Sequence, residues 1–163
     1  MKIISILFFA FIILVSTYFI VGLGTIIKNG TSITNKPGTI TRLKLFFSTN
    51  TAKTDEASSF PELKPRRYSL QETDINTLFE KIILVAESLG YEFTKIKSDE
   101  KILHFTITTP IFKFVDDLTI NVEIENTEAI VNALSQSRSG RADFGANVAN
   151  ISKFFAILDD ELL

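Results

Sequence analysis

The chain has 163 residues, with 17 Lys+Arg against 19 Asp+Glu and a formal net charge of −2 at pH 7, a length that suits one domain. This near balance excludes the basic surface of a nucleic-acid-binding protein, so no nucleic acid is expected among the partners. The absence of cysteine excludes disulfides, thiolate catalysis and cysteine metal sites, the single histidine excludes a multi-histidine metal cluster, and no cofactor is predicted.

An apolar segment without a charged side chain covers residues 3–27. As a helix it would measure roughly 37 Å, which exceeds the bilayer core of about 30 Å that about 20 residues cross. The sequence therefore predicts a single-pass transmembrane anchor at residues 1–28, with residues 3–27 in the membrane. A cleaved signal peptide is the alternative, with Gly22 and Gly24 as its small residues, but its apolar region is typically only about 7–15 residues long.

The charges around this segment bear on which side of the membrane the rest of the chain occupies. Lys2 precedes the segment, whereas Lys28, Lys36, Arg42 and Lys44 follow it. The positive-inside rule then places the domain in the cytoplasm. Only Lys28 is close to the end of the segment, however, and long domains cross membranes largely regardless of charge. The charge count leaves the side open.

Residues 29–61 are rich in Thr, Ser, Asn and Lys with scattered Gly and Pro, which is typical of a polar tether. Within it, residues 40–47 (ITRLKLFF) suit a short strand or a segment lying on the membrane surface, although a semi-ordered linker is the favoured interpretation. Residues 49–59 are small and polar, as in a flexible spacer.

Residues 62–163 are predicted to form the folded domain, which begins with an amphipathic helix of about 15 residues. Ser69 and Glu72 have capping-box spacing, Thr73 and Asp74 are alternative N-caps, and Gly90 is a natural C-cap. The apolar stripe consists of Ile75, Leu78, Phe79, Ile82, Val85, Ala86 and Leu89.

Four strands are predicted next, at residues 91–97, 101–109, 112–125 and 128–137, with a turn at residues 98–100. Asn126 and Thr127 form a two-residue turn that pairs Glu125 with Glu128. The same register pairs Val122 with Val131, Ile120 with Ala133 and Leu118 with Ser135, which keeps the apolar side chains largely on one face. A last amphipathic helix at residues 143–159 completes a two-layer α+β domain in the order helix, four-strand antiparallel meander, helix.

The predicted register also gathers polar side chains near the start of the last helix. Asp117 opposes Gln136 with Arg138 as its diagonal neighbour, and Asp116 opposes Ser137 on the core-facing side. The candidate cluster consists of Asp116, Asp117, Arg138, Arg141, Asp143 and Asn147. Such a cluster at a helix N-terminus suits a bound phosphate or carboxylate.

A structural network is the favoured interpretation of the cluster, because its own acids would neutralise its arginines. In that network Asp116 pairs with Arg141, Asp117 pairs with Arg138, and Asp143 caps the helix. Catalysis by two carboxylates would need them to converge, but neighbours on a strand point to opposite faces. No catalytic residue and no metal site is therefore predicted.

Three motifs carry a family resemblance: residues 60–68 (FPELKPRRY), 112–117 (FKFVDD) and 137–147 (SRSGRADFGAN). Over residues 60–158 the chain resembles the domain-of-unknown-function 1499 family. Many members have membrane or export segments, so the resemblance favours an extracytoplasmic domain against the charge count. Others have a cysteine motif before the domain, which this chain lacks, and the resemblance implies no activity or substrate.

Three function hypotheses follow from these features. The first is a membrane-anchored non-catalytic interaction module, such as an accessory subunit that binds another membrane protein. The second is a domain that binds a small ligand or lipid in a cavity of the sheet and helices. The third is an enzyme of unknown type that uses the Asp/Arg cluster.

Overall fold

The computed structural model describes residues 2–71, 73–97, 101–109 and 113–162. In these residues the helices are α1 (Lys2–Asn29), α2 (Thr39–Ser48), α3 (Ile75–Ser88) and α4 (Ala146–Leu162), with a short 3-10 helix at Pro61–Leu63. The strands are β1 (Thr51–Lys53), β2 (Arg66–Ser69), β3 (Glu92–Lys97), β4 (Ile102–Thr108), β5 (Val115–Glu125) and β6 (Glu128–Ser137). Glu72 of the proposed capping box, the predicted turn at 98–100 and the predicted strand start at residue 112 lie outside the described residues.

The strands form one antiparallel sheet in the order β1-β6-β5-β4-β3, and β2 also pairs with β6. The meander β3–β6 is the predicted one, and the β5–β6 register is confirmed from Glu125 opposite Glu128 to Asp116 opposite Ser137. β1 and β2 pair with different parts of β6, at residues 134–136 and 128–131. The predicted α+β class is confirmed, with two short strands added along one edge of the meander.

The hydrophobic core lies between one face of the sheet and the helices α3 and α4. Side chains from the predicted apolar face of the meander are buried there, including Leu103, Phe105, Leu118, Ile120, Val122 and Val131. They meet Leu78 and Ile82 of α3 and Phe154 and Leu158 of α4. Period-two burial on the strands and helical spacing on α3 and α4 therefore create a single core.

The residues before each of the helices α3 and α4 determine where the helix begins. Asp74 caps α3, because its carboxylate accepts hydrogen bonds from the backbone N–H groups of Asn76 and Thr77 and from the Thr77 hydroxyl. These bonds, chiefly the one from the hydroxyl, hold the pKa of Asp74 below its ordinary value. α4 begins at Ala146, later than the predicted residue 143, because Phe144 and Gly145 adopt left-handed φ angles of 52° and 78°.

The predicted tether differs from the structure at Thr39–Ser48, which form α2, and at Thr51–Lys53, which form β1. α2 buries Arg42 and Phe46, and β1 adds to the edge of β6. The interpretations of residues 40–47 as a linker or a strand are wrong, and so is the flexible spacer where β1 lies. The position of residues 40–47 on the membrane surface stays a prediction. Arg42 lies on the buried face of α2, where an apolar residue is normally expected. It therefore interrupts the amphipathic pattern by which such a helix is identified from sequence.

Candidate functional site

α1 is apolar and long enough to cross a membrane, and most of its apolar side chains are exposed. Its C-terminal half contacts the domain through an aromatic cluster of Tyr18, Phe19, Phe47 and Phe144, whose neighbouring ring centroids lie 5.1 to 5.8 Å apart. Gly22 packs beneath this cluster, where a Cβ atom would lie 2.5 Å from Cε1 of Phe47. The glycine therefore permits the close approach of α2 to α1.

A buried polar network joins the end of the sheet to the first turn of α4. The side chain of Asn147 is fully buried, and its Oδ1 accepts a hydrogen bond from Ser135 Oγ at 2.6 Å. Its Nδ2 donates to the carbonyl oxygen of Asn50 at 2.8 Å and to Ser137 Oγ at 3.0 Å, with Asp143 Oδ2 as a third acceptor within reach. One amide thus connects β6, the chain before β1 and α4.

Asp116 lies on the same side of the sheet as this network and is 1% exposed. Its Oδ2 accepts a hydrogen bond from Asn150 Nδ2 at 3.1 Å, and that amide also lies 3.4 Å from Ser135 Oγ. The carboxylate therefore faces α4, in agreement with the core-facing position that the register predicts. Its described partner is an amide of α4 rather than an arginine.

The Asp143 carboxylate accepts hydrogen bonds from backbone N–H groups at the start of α4. Its Oδ1 accepts from Gly145 N at 2.8 Å, and its Oδ2 accepts from Asn147 N at 3.1 Å. Burial raises the pKa of the Asp143 carboxyl above its ordinary value, and the nearby charge of Asp116 acts in the same direction. The hydrogen bonds from Asn147 and Gly145 oppose this increase.

The two acids on either side of the sheet are expected to respond to pH with opposite signs. The pKa of Asp143 is raised above its ordinary 3.8, so its contribution to stability is full below that value and is lost as pH rises through the folded-state pKa. The pKa of Asp117 is lowered by its hydrogen bond from Arg138, so its contribution is lost as pH falls.

The measurement is urea unfolding of the wild type, Asp143→Asn and Asp117→Asn over a range from about pH 3 to pH 7. Relative to wild type, Asp143→Asn should remove a decline in unfolding free energy with rising pH. Asp117→Asn should remove a decline on acidification. Parallel pH profiles for the wild type and Asp143→Asn would contradict the burial of an ionisable Asp143.

Asp117 and Arg138 lie on the opposite, more exposed face of the sheet. Arg138 donates through Nε to Asp117 Oδ2 at 2.9 Å and through Nη2 to Asp117 Oδ1 at 2.6 Å, so the predicted ion pair forms with bidentate geometry. Arg141 is exposed, and no ion pair joins it to Asp116 in the part of the chain that the structure describes.

The six candidate residues therefore do not form the single cluster that the register suggests. Asp116, Asp143 and Asn147 share the helix-facing side, whereas Asp117 and Arg138 share the other side. The predicted Asp116–Arg141 ion pair is absent from the described residues, because the Asp116 carboxylate is buried against α4 whereas Arg141 is exposed in the segment between β6 and α4. Arg42 and Asn150, neither of which is in the candidate set, also make polar contacts between different segments of the chain.

A cavity of about 590 Å³ lies between α1 and this end of the sheet. Tyr18, Val21 and Gly24 line it from α1, while Phe114 and Phe144 line it from the domain. Asp116, Ser137 and Asp143 are among its polar lining residues. The lipid hypothesis expects a cavity between the sheet and the helices α3 and α4. Packed side chains fill that space instead, and the observed cavity lies beside α1.

The comparison with protein families agrees with the motifs. The family described as "Protein of unknown function (DUF1499)" matches residues 43–158, so the match begins within α2 rather than at residue 60. No curated protein matches the chain. Because the family match covers most of the chain, the protein belongs to this family of unknown function.

Proposed function

We propose that the protein is a non-catalytic interaction module that α1 holds at a membrane. The observation that carries this proposal is the exposed apolar surface of α1, which the domain leaves uncovered along most of the helix. Burial of apolar surface is favourable by roughly 25 cal/mol per Å², so a helix exposed in this way needs lipid or protein around it. If the protein is an accessory subunit of a membrane complex, the bilayer supplies the lipid and the other subunits supply the protein contacts.

The polar network supports a non-catalytic role. Both carboxylate oxygens of Asp143 accept backbone N–H groups, and the carboxylate of Asp116 is held by Asn150. In the described residues, every buried side-chain nitrogen and oxygen has a hydrogen-bond partner. Groups that are engaged in this way stabilise a strand-to-helix connection and are poorly placed for proton transfer to a substrate.

A lipid-binding role is the second candidate, and the cavity beside α1 favours it. Its volume lies within the range of about 300–1,000 Å³ that is usual for ligand sites, and aromatic and aliphatic side chains line much of it. The position of the cavity against the apolar helix suits an amphipathic ligand that arrives from the membrane.

One experiment separates these two candidates. The tagged full-length protein is extracted in a mild detergent, and everything that accompanies it is identified by mass spectrometry. A stoichiometric membrane-protein partner is expected for the interaction module, and a monomer without any such partner would contradict it. Protease accessibility in sealed membrane vesicles tests the extracytoplasmic position of the domain, which stays a prediction.

A variant of Gly24 tests the lipid candidate. Gly24 lines the cavity, and the space that its Cβ would occupy contains no atom within 4 Å, so Gly24→Leu is expected to fill the cavity without disturbing the fold. Loss of a co-purified lipid from this variant would support the cavity as a lipid site. Ser16→Leu is the control, because it adds the same side chain to an exposed position of α1 before the first residue that lines the cavity.

A further inference from the structure

The free length of α1 is too short to cross a bilayer by itself. Contact with the domain begins at Tyr18, whose ring packs against Phe47 and Phe144. The helix from residue 3 to residue 17 measures only about 22 Å at 1.5 Å per residue, whereas the hydrocarbon core is about 30 Å thick. A core that starts at Ile3 therefore extends to about residue 22, and helix tilt would carry it further along the helix.

The domain surface at that level is aromatic. α2 brings Phe47 against Gly22, and the loop before α4 brings Phe144 beside Tyr18. Phe114 lines the same cavity as Tyr18 and Phe144 and is 53% exposed. Phe47, Phe114 and Phe144 are called the aromatic end of the domain below. Aromatic side chains are typical of the membrane–water interface, although tryptophan and tyrosine predominate there.

Exposed charged side chains lie at both ends of the sheet. Lys113 and Arg141 are exposed at the aromatic end, since Lys113 directly precedes Phe114 and Arg141 lies three residues before Phe144. Glu123, Glu125 and Glu128 are exposed at the opposite end of the sheet, around the β5–β6 turn, where Arg67 pairs with the last two. Because β5 rises by about 3.3 Å per residue, these ends lie roughly 30 Å apart. The exposed Lys113 and Arg141 suit contact with anionic lipid head groups, while the nearby carboxylate of Asp117 is already paired with Arg138.

We propose that the aromatic end is seated in the interfacial layer of the lipid bilayer, with Phe114 at the level of the outer acyl chains and with Lys113 and Arg141 among the head groups. This seating rests on the proposed membrane anchoring by α1. It gives the domain a fixed height and orientation on the membrane, instead of the freedom that a polar tether would allow. It also opens the cavity beside α1 to lipid.

The absence of tryptophan makes this seating measurable with single-tryptophan variants. Phe114→Trp reports on the aromatic end, because Phe114 directly precedes β5. Ile124→Trp is the matched control, because Ile124 is 43% exposed near the other end of β5. Phe9→Trp reports on α1 alone. Each full-length variant is reconstituted into phosphatidylcholine–phosphatidylglycerol vesicles with and without bromine on the acyl chains, and fluorescence quenching is compared.

The seating predicts strong quenching of the Phe9→Trp and Phe114→Trp variants and little quenching of the Ile124→Trp variant. If Phe9→Trp is quenched while Phe114→Trp behaves like Ile124→Trp, the seating is overturned and the anchoring stands. If Phe9→Trp is not quenched, the anchoring itself fails and the seating fails with it. Equal, strong quenching of all three would also overturn the proposed orientation.

Discussion

Replacement of Arg42 by alanine is expected to lower the free energy of unfolding by about 3–5 kcal/mol, as is usual when one partner of a buried ion pair is removed. The Arg42 side chain is fully buried and donates to the carbonyl oxygens of Ser32, Asn35 and Lys36 at 2.6 to 3.0 Å. It also pairs with Glu62 at 2.6 Å. Its removal leaves three carbonyl groups and a carboxylate without their cationic partner. The loop between α1 and α2 then loses the hydrogen bonds that hold it to α2.

Urea unfolding of the full-length protein in detergent, followed by circular dichroism, measures this loss. Lys44→Ala is the control, because Lys44 is exposed on the same helix and should change stability by no more than about 0.5 kcal/mol. Arg42→Lys keeps the charge but not the planar fork, so it should recover only part of the stability. Equal stability of Arg42→Ala and Lys44→Ala would show that the buried arginine does not hold this loop.

Replacement of Asn147 by leucine is expected to lower the free energy of unfolding by about 3 kcal/mol, since each buried polar group left without a partner costs about 1–3 kcal/mol. Leucine keeps a similar volume, so the loss reports on hydrogen bonds rather than on a cavity. Ser135, Ser137 and the Asn50 carbonyl would each lose a bond to the Asn147 amide.

Arg138→Ala provides the comparison for the Asn147 variant. Its ion pair with Asp117 is about half exposed, at 54% and 49%, so its removal should lower the free energy of unfolding much less than the loss of the buried Asn147 amide. Both stabilities are read from urea unfolding, together with retention of any co-purified partner or lipid. A stable Asn147→Leu protein that has lost its partner would mean that the network is a binding site rather than a structural connection.

The elements with regular patterns are the ones that local sequence predicts well. Alternation at residues 118–124 and the Asn126–Thr127 turn are sufficient for the β5–β6 register, because a shift of one residue would turn the apolar set towards solvent. The sequence likewise predicts a helix start near Asp74 and includes that residue among the alternative N-caps, and the structure selects it. These signals are local, so neighbouring residues carry them.

The elements that the sequence fails to indicate depend on distant partners. β1 has three residues, too few for a pattern, and exists because β6 offers it an edge. α2 carries a buried arginine whose acceptors lie in a preceding loop and at Glu62. No periodicity within α2 reports on those acceptors.

The candidate site shows the same division. The residue types and the strand register by themselves place Asp116 and Asp117 at one end of the sheet and place Asp143 before the last helix. The register also puts Asp117 beside Arg138, on the face opposite Asp116. Only the tertiary structure decides that Asn150 binds Asp116 and that the Asn147 amide links Asp143 to β6.

The sequence by itself determined the apolar helix, the α+β class, the meander and the family, because each depends on residue spacing within one segment. The tertiary structure decided that the segment after α1 folds onto the domain, that Gly22 admits Phe47, and that a cavity separates α1 from the sheet. These features arise where segments far apart in the chain meet, and the free energy of such contacts depends on shape and distance, which residue spacing along the chain does not encode.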